Sequence, residues 1–545
     1  MKVINIILIL IFFSQLTIAQ TFLWEGAVGG SDLDYPNSIW VGNDGSTYIT
    51  GNYASNVIKN GNQILATNVT GSPMNFFLLK INSSGTPVFV RDAQYTSSAI
   101  GMEVRTDSSQ NIYNLVINNS SFWITIDNDT FWSEYGGAGA LLLKYDSSGN
   151  FLWGKPFSSG DSYDISAGMD IINDNNIISC SSDHDYVTDS VGNIVAFNNN
   201  LIICNFDSTG NIKWSRSIKN IPDFYRMQID DHQNINILCK KKIDSVYVDS
   251  QFVTTDSLHF FLIRFNKDGD FIEYIPFQSN DVFDNITFTI DNNDNIYFAG
   301  DYVSQSFSAF NLPTQNKLTS NSRDIFIVKT NYHGIGKWIN SIQSYSAKDI
   351  GDIATDYNGD LYLLGQQLMD TGIYYNNLYY PASPGYFNHL IKIDTLGNLL
   401  DYIPSSRFAD MFYSFIVTAP NEIFITSQGN KGAPLFSYST GNSYGYNDIC
   451  FGKFSYVTSI KNNSHTYNDI DIYPNPANEF IHFDINTDIR LQNIRIFDLY
   501  GKIVRVIDNI NQYSNKVYIS DLSNGIYFIN LSTSKGCITK KFIKI

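Results

Sequence analysis

The sequence predicts an all-β protein: a seven-bladed β-propeller with four antiparallel strands per blade, followed by a small C-terminal β-sandwich. A pair of β-hairpins recurs along the chain at nearly constant spacing, which is typical of a blade repeated around a ring. Aromatic residues make up 15 % of the chain and charged residues only 16 %, with 37 glycines, a composition that favours strands and turns. After Val457 the repeat stops and another strand pattern begins, which predicts a second domain.

The first hairpin of each repeat alternates apolar and polar residues on both sides of a polar turn, as in "DGSTYITG" and "DNIYFAG". Its seven copies begin at Trp40, Glu103, Asp170, Gln228, Phe288, Ile353 and Phe415. Turn glycines of the second hairpin recur every 59 to 65 residues, at Gly85, Gly149, Gly210, Gly269, Gly334 and Gly397. Between the two hairpins lies an insert with a minor hairpin. We expect the inserts to project from one face, where loops on a rigid scaffold usually bind ligands.

The two ends of the repeat region complement each other. The seventh repeat has no outermost strand after Cys450, while the segment from Phe22 to Val28 resembles the outer strand that begins at Phe151. We therefore expect the N-terminal strand to complete the last blade beside residues 451–456 and to close the ring. Trimming residues 20–28 should then destabilise the whole ring.

The chain begins with a segment that has the features of a signal peptide, residues 1–19. Lys2 supplies the positive charge, an apolar run follows, and the small residue Ala19 precedes Gln20, which predicts cleavage between these two. We assign residues 20–457 to the propeller, 458–468 to a polar linker and 469–545 to the C-terminal domain.

Short sequence motifs in the repeats and in the C-terminal domain resemble two known families. The repeat words "DGSTYITG", "DNIYFAG", "DIFIVK" and "DSSGNFLW" resemble the SBBP-type propeller repeats of bacterial secreted proteins. Residues 469–545 contain "IYPNPA", "FDLYGK", "DLSNGIYF" and "KKFIK" in order, and resemble the type A sorting domain of Bacteroidetes type IX secretion substrates. The second resemblance implies contact with the secretion machinery, export across the outer membrane and removal of the domain. The mature protein would then be released or joined to surface lipopolysaccharide.

Charge and cysteine content exclude some classes of function. The formal net charge of −17 repels phosphate backbones, so nucleic acid is not expected as a partner. The five cysteines are scattered and lack CxxC spacing, which argues against a zinc site or a disulfide framework. Cys180 and Cys204 fall on neighbouring strands, and either a disulfide or two buried free thiols fits them.

An acidic set is the first candidate site. Asp34, Asp164, Asp284 and Asp410, with Asp349 as a further candidate, lie in links between blades near one mouth of the channel. They fit a carboxylate ring for Ca²⁺ or a cationic group, because hard cations require several oxygen ligands. They also fit turns in which each carboxylate bonds nearby backbone N–H groups. No other cofactor is expected.

Other candidates are judged by whether they break the repeat. Lys80, Lys144, Arg264, Lys329, Lys392 and Lys453 recur on the third strand, and Trp24, Phe89, Trp153, Trp214 and Trp338 recur on the outer strand, which indicates scaffold roles between blades. His184 lies between two acids in the third insert and fits either a ligand or base, or an exposed side chain in a polar loop. The sixth insert carries Tyr374, Tyr375, Tyr379, Tyr380, Tyr386 and Phe387, which fit either a binding surface for a glycan or protein, or packing of the minor hairpin.

No hydrolase, zincin, Walker or dinucleotide motif occurs in the sequence. The leading hypothesis is therefore a non-catalytic binding or adhesion protein, secreted or displayed on the outer-membrane surface. One alternative is a propeller enzyme, a lyase or hydrolase of polysaccharides that uses carboxylates at the channel mouth. Another is a structural surface component.

Overall fold

A computed structural model of the chain describes residues 20–68, 74–94, 96, 98–118, 123–131, 139–158, 166–183, 186–188, 194–197, 200–221, 223–240, 245–248, 251–254, 260–280, 285–316, 323–344, 348–367, 373–376, 378–380, 388–404, 409–429, 447–456, 472–483, 491–497, 503–508, 516–533 and 536–545. Within these ranges there are 47 β-strands and no helix. The chain divides into two compact units, one from Ala19 to Tyr456 and one that contains the strands after Val457.

The strands follow the predicted repeat. The first two repeats contain β1 (Gln20–Val28), β2 (Asp34–Val41), β3 (Thr47–Tyr53), β4 (Val57–Asn60), β5 (Gln63–Thr67), β6 (Asn75–Ile81), β7 (Pro87–Asp92), β8 (Ala99–Thr106), β9 (Ile112–Asn118), β10 (Ile124–Ile126), β11 (Asp129–Phe131), β12 (Gly139–Tyr145) and β13 (Phe151–Pro156). The next two contain β14 (Ala167–Asn173), β15 (Asn176–Asp183), β16 (Tyr186–Thr188), β17 (Ile194–Phe197), β18 (Asn200–Phe206), β19 (Ile212–Lys219), β20 (Asp223–Ile229), β21 (Ile235–Lys240), β22 (Val246–Val248), β23 (Gln251–Thr254), β24 (Phe260–Phe265) and β25 (Phe271–Pro276).

The last three repeats contain β26 (Ile286–Ile290), β27 (Ile296–Tyr302), β28 (Ser306–Phe307), β29 (Gln315–Asn316), β30 (Asp324–Thr330), β31 (Gly336–Gln343), β32 (Lys348–Thr355), β33 (Leu361–Gln367), β34 (Ile373–Tyr375), β35 (Leu378–Tyr380), β36 (Asn388–Ile393), β37 (Leu399–Pro404), β38 (Ala409–Ala419), β39 (Glu422–Gly429) and β40 (Asp448–Tyr456). The second unit contains β41 (Ile472–Tyr473), β42 (Phe480–Phe483), β43 (Leu491–Phe497), β44 (Ile503–Asp508), β45 (Lys516–Tyr518), β46 (Gly525–Thr533) and β47 (Gly536–Lys544).

Among the described residues of the first unit, seven sheets share one antiparallel order of four strands, and four separate two-stranded hairpins lie beside them. From inner to outer strand, sheets 1 to 7 are β2-β3-β6-β7, β8-β9-β12-β13, β14-β15-β18-β19, β20-β21-β24-β25, β26-β27-β30-β31, β32-β33-β36-β37 and β38-β39-β40-β1. Each innermost strand contacts that of the next sheet, and β38 of sheet 7 contacts β2 of sheet 1. The N-terminal strand lies where the sequence predicts, because Phe22 pairs with Phe454 and Val28 with Ile449.

Apolar residues of neighbouring sheets form common cores. Val28 and Phe451 of sheet 7, for example, share a cluster with Ile49 and Phe77 of sheet 1. The second strand of a sheet is buried on both faces, as in β3, where all seven residues are buried. Such strands combine apolar and aromatic residues with uncharged polar ones, as in β3 with Thr47, Thr50 and Asn52, while the outer strands keep one exposed face.

The turns of the hairpins are built by an acidic or amide side chain. Asp146 Oδ1 accepts hydrogen bonds from Ser148 N at 2.9 Å and from Asn150 N at 2.8 Å, and Gly149 adopts a φ of 83°. Hairpin geometry thus accounts for the recurring D-x-x-G words, in which the side chain bonds its own backbone.

The inserts are placed differently from the expectation. Minor hairpins form in the inserts, for example β4-β5 and β10-β11, but β22 pairs with β19 of sheet 3 and β34 pairs with β31 of sheet 5. These two inserts therefore extend the outer edge of the preceding sheet to six strands instead of only projecting from a face. The outer strand offers unpaired backbone groups, which an adjacent hairpin satisfies.

The second unit has one apolar core between two sheets. The sheets are β41-β42-β45 and β44-β43-β46-β47. Ile481 and Val517 of the first sheet pack with Ile494, Ile529 and Phe542 of the second. Alternation of apolar and polar residues along these short strands provides the apolar face of each sheet.

Candidate functional site

A central cavity of about 690 Å³ is lined by the innermost strands of all seven sheets. Two layers of side chains line it. Within one layer, each residue has the same register in its own sheet, because it pairs with the equivalent residue of the second strand. The first layer contains Ser38, Glu103, Arg226, Thr287, Asp352 and Ser414, opposite Thr50, Leu115, Leu238, Ala299, Leu364 and Thr426. The second layer contains Trp40, Arg105, Asp170, Gln228, Thr289, Ala354 and Ile416.

Charged side chains in these layers bond to each other, both within one strand and between neighbouring sheets. Arg105 lies 2.8 Å from Glu103 Oε2 and 3.3 Å from Asp170 Oδ1. Ser38 Oγ of sheet 1 donates to Glu103 at 2.9 Å, and Ile229 N of sheet 4 donates to Asp170 at 3.0 Å. Burial opposes the charge on Arg105, but Glu103 and Asp170 outweigh burial and raise the pKa of Arg105 above its ordinary value.

A second charged group lies on the opposite part of the wall. Arg226 of sheet 4 pairs with Asp352 of sheet 6 and donates to Thr287 Oγ1 of sheet 5 at 3.2 Å. The polar network therefore connects sheets 1 to 4 and sheets 4 to 6. Three carboxylates and two guanidinium groups make the wall polar, and their mutual bonds fix the side-chain positions.

The sequence interpretation missed this cavity although a signal was present. Positions such as Trp40, Arg105, Asp170 and Gln228 are equivalent in the repeat but differ in chemistry. The preceding position is apolar in every repeat, because it packs in the core: Ile39, Val104, Met169, Met227, Phe288, Ile353 and Phe415. A position that varies in chemistry from repeat to repeat beside one that stays apolar indicates a side chain that faces a shared space.

Asp34, the first residue of β2, is fully buried and holds its own loop. Its Oδ2 accepts hydrogen bonds from Gly30 N at 2.8 Å and from Ser55 Oγ at 3.0 Å. Burial raises the pKa of Asp34 to about 7, against the hydrogen bonds from Ser55 and Gly30, which lower it. The carboxylate of Asp34 thus bonds nearby backbone and side-chain groups, the arrangement that the turn interpretation describes.

The rest of the predicted acidic ring stays a prediction. Asp164 and Asp284 lie outside the described residues, and the side chains of Asp349 and Asp410 lie outside them as well. Among the side chains that the structure describes, no group of three or more His, Cys, Asp or Glu residues could hold a metal ion. His184 and Asp185 also lie outside the described ranges.

The tyrosines of the sixth insert have two different environments. Tyr375 is buried, donates to Gly397 O at 2.8 Å and accepts from Asn340 Nδ2 at 2.7 Å, so it packs the hairpin against sheet 5. Tyr374 and Tyr379 lie on the other face of the hairpin with ring centroids 5.0 Å apart, and Tyr379 is 46 % exposed. Tyr380 is half-buried near Tyr402, and Tyr386 and Phe387 lie outside the described residues.

The recurring lysines and tryptophans have the scaffold role that their repetition predicts. Lys144 Nζ and Trp153 Nε1 of sheet 2 both donate to Ser208 O of sheet 3, at 2.9 and 3.2 Å. Lys329 and Trp338 of sheet 5 donate in the same way to Thr395 O of sheet 6. Each pair ties one sheet to the second-hairpin turn of the next.

The described cysteines are buried and free. Cys204 lies opposite Ser179 in the ladder, one residue from Cys180, so the two thiols point to opposite faces of sheet 3. Burial raises the pKa of Cys204 to about 12. The interpretation as two buried free thiols is confirmed.

Comparison with known proteins decides the nature of the C-terminal domain. Residues 471–545 match the family model described as "Secretion system C-terminal sorting domain". Residues 471–545 are a type IX sorting domain. The sorting domain marks a protein that the type IX system secretes to the cell surface or the extracellular space. Among the described residues, no helix has the length and apolarity needed to cross a bilayer.

No curated protein sequence matches the chain. Similar solved structures include the β-propeller domain of the Trilobed protease from Pyrococcus furiosus, which is 9 % identical, with 81 % of this chain and 99 % of that one covered and a TM-score of 0.39. A protein of unknown function from Bacteroides caccae is 12 % identical, with coverages of 60 % and 90 % and a TM-score of 0.28. Puromycin hydrolase is 7 % identical, with coverages of 74 % and 51 % and a TM-score of 0.39.

Proposed function

We propose that this protein is an extracellular, non-catalytic binding protein whose residues 20–457 form a closed seven-bladed β-propeller of the SBBP type, with the ligand held at the central cavity. The cyclic contacts from β2 through β38 and back to β2 support the closed ring. The pairing of β1 with β40 supports it too, because it joins the first and the last strand of this unit within sheet 7. We further propose that the signal peptide, residues 1–19, is removed after Ala19.

The composition of the cavity wall carries the proposal. Six of the seven innermost strands supply a polar side chain to the first layer, whereas a wall that served packing alone would be apolar. The charges differ from sheet to sheet, so the wall is asymmetric and can orient a polar ligand. Ligand sites of proteins commonly combine a fixed concave wall with a few placed polar groups.

Binding is favoured over polysaccharide cleavage by the state of the carboxylates. Glu103 and Asp170 are both engaged by Arg105, and Asp352 is engaged by Arg226. A general acid or base must exchange its proton with substrate, so a carboxylate bound to a guanidinium group is poorly suited to the role. Asp34 is shielded from substrate by burial.

The proposal is tested with the full secreted chain, by thermal shift against arrays of glycans and of outer-membrane and host-surface proteins. We expect a cavity ligand to raise the melting temperature of the wild type, and Arg226→Met to abolish this increase, since it removes both guanidinium bonds. Lys267→Ala removes a positive charge at an exposed position in the second-hairpin turn of sheet 4, outside the cavity, and as the control should respond like wild type. A ligand response that persists in Arg226→Met would move the site away from the cavity.

Calcium is tested in the same assay. We propose that Ca²⁺ binds at the acidic ring and raises the melting temperature, and that this increase is lost in Asp284→Ala and Asp410→Ala. No Ca²⁺-dependent shift in the wild type would remove the acidic ring from consideration.

Export is expected to end with removal of the sorting domain, followed by release of the protein or by its attachment to surface lipopolysaccharide.

A further inference from the structure

A second cleft of about 490 Å³ lies beside the central cavity, where the first-hairpin turns of sheets 1, 2 and 3 meet. The cleft and the cavity share the side chains of Trp40, Arg105 and Asp170. The Arg105–Asp170 ion pair therefore lines both spaces. The volume falls within the range of small-molecule sites, roughly 300–1,000 Å³.

Trp40 is the feature that distinguishes this part of the ring. The other six strands carry Arg105, Asp170, Gln228, Thr289, Ala354 and Ile416 at the same register, so sheet 1 alone supplies an aromatic ring there. The indole Nε1 donates to Thr106 Oγ1 at 3.0 Å, and the Arg105 guanidinium carbon lies 4.8 Å from the ring centroid. Sheet 2 thus fixes the orientation of the indole before any ligand arrives.

Polar groups surround the indole on the turns. Asn43, on the turn of sheet 1, is exposed. Asp174, on the turn of sheet 3, accepts from Ser108 N at 2.7 Å and from the Ser108 hydroxyl, which joins the turns of sheets 2 and 3. These hydrogen bonds lower the pKa of Asp174, so its carboxylate is an ionised acceptor at neutral pH.

We infer that this cleft binds a carbohydrate. A pyranose ring presents a C–H face that packs on an indole, and hydroxyl groups at its rim that bond to amides and carboxylates. The Arg105 guanidinium covers one face of the Trp40 ring, so the part of the indole that lines the cleft supplies the apolar surface, and Asn43 and Asp174 supply acceptors and a donor beside it. The inference deepens the proposed function and depends on it, since it names the ligand class and places the sugar at the edge of the same cavity.

The test is isothermal titration of the full secreted chain with soluble glucans, mannans, xylans and polygalacturonate. We expect saturable binding of at least one of them, weakened about tenfold or more by Trp40→Ala and less by Trp40→Tyr, which keeps an aromatic face. Trp123→Ala removes an indole that is 40 % exposed and lies outside the cleft, and should leave the affinity unchanged. Unchanged melting temperatures establish that the variants fold, and Asn43→Ala, at an exposed position, provides a second variant with little risk to folding.

The outcomes separate the inference from the proposed function. If none of the polysaccharides binds, or if one binds equally well to Trp40→Ala and Asn43→Ala, the carbohydrate cleft is overturned. If a protein or small-molecule ligand binds the wild type and this binding is lost in Arg226→Met, the proposed function would remain intact. If neither polysaccharide nor any array member binds, both fail.

Discussion

At the scale of single residues, Asp34 shows how a charged group can be placed in a protein core for a local purpose. Its carboxylate orders the loop between β1 and β2 through Gly30 and Ser55. Burial, with a smaller contribution from Asp448, makes the charged form costly and raises the pKa of Asp34 to about 7. Since an unfolded aspartate titrates near 3.8, folding takes up a proton between these two values.

This proton uptake predicts a pH dependence of stability. Between about pH 4 and 7 the folded state holds a proton that the unfolded state has lost, so the free energy of unfolding falls as pH rises, by about 1.4 kcal/mol per unit at most. Asp34→Asn has no titrating group at this position, so its free energy of unfolding does not fall in this way as pH rises. We expect the stability of the variant relative to wild type to increase by roughly 2–4 kcal/mol from pH 4.5 to pH 8, measured by urea unfolding. A difference between the two proteins that is the same at both pH values would contradict the assignment.

The sequence predicts the roles of residues that recur in every repeat, and it misses the roles of residues that differ between repeats. Lys144 and Trp153 recur because each must reach the turn of the next sheet, so their structural role follows from the repetition alone. Arg105 and Asp170 come from different strands, and only the register of the sheets shows that their side chains meet. Pairing between side chains on separate strands depends on tertiary geometry, which one sequence does not contain.

At the scale of the strand and its turn, the second-hairpin glycines fit between neighbouring sheets. Gly85 has a φ of 85°, and a Cβ placed on it would lie 2.6 Å from Trp24 Cγ. Trp24 also donates to Ser83 O at 3.1 Å, so the indole covers the whole turn. Gly61 has a comparable φ of 59° but nothing within 4 Å of its Cβ position.

These two glycines form a matched pair for measuring the contact between sheets. Gly61→Ala should cost about 1 kcal/mol, the cost of a left-handed backbone for a residue with a side chain. Gly85→Ala should cost roughly 2–4 kcal/mol, because the new methyl group also displaces the indole. Guanidinium unfolding of both variants gives the difference. Equal losses would show that the turn contributes no contact between sheets 7 and 1.

At the scale of the whole molecule, β1 contributes to two interfaces at once. It completes sheet 7 through its pairing with β40, and its Val28 and Trp24 enter the core between sheets 7 and 1. The sequence predicts this strand because the last repeat lacks an outer strand. It does not predict where the insert hairpins pair, since their short strands resemble any exposed hairpin.

Removing residues 20–28 should therefore destabilise the first unit. The two apolar side chains lost from the core are each worth about 1.5–3 kcal/mol, so we expect a loss of roughly 3–6 kcal/mol in the free energy of unfolding, measured by chemical denaturation. A synthetic peptide of residues 20–28 added in excess should restore the transition, whereas a scrambled peptide should not. Full stability in the truncated chain would argue against a structural role for the strand.

The pairing of Gln20 with Tyr456 also sets the order of folding events. These partners are separated by 436 residues, so β1 can pair only once the last repeat is present. Contacts of such high sequence separation form late, because a very long loop must close before they contribute. Six sheets can assemble from local hairpins as the chain arrives, while the seventh cannot. We therefore expect completion of sheet 7 to be a late step of folding, and until then one edge of β40 has no strand paired to it, so another copy could pair there.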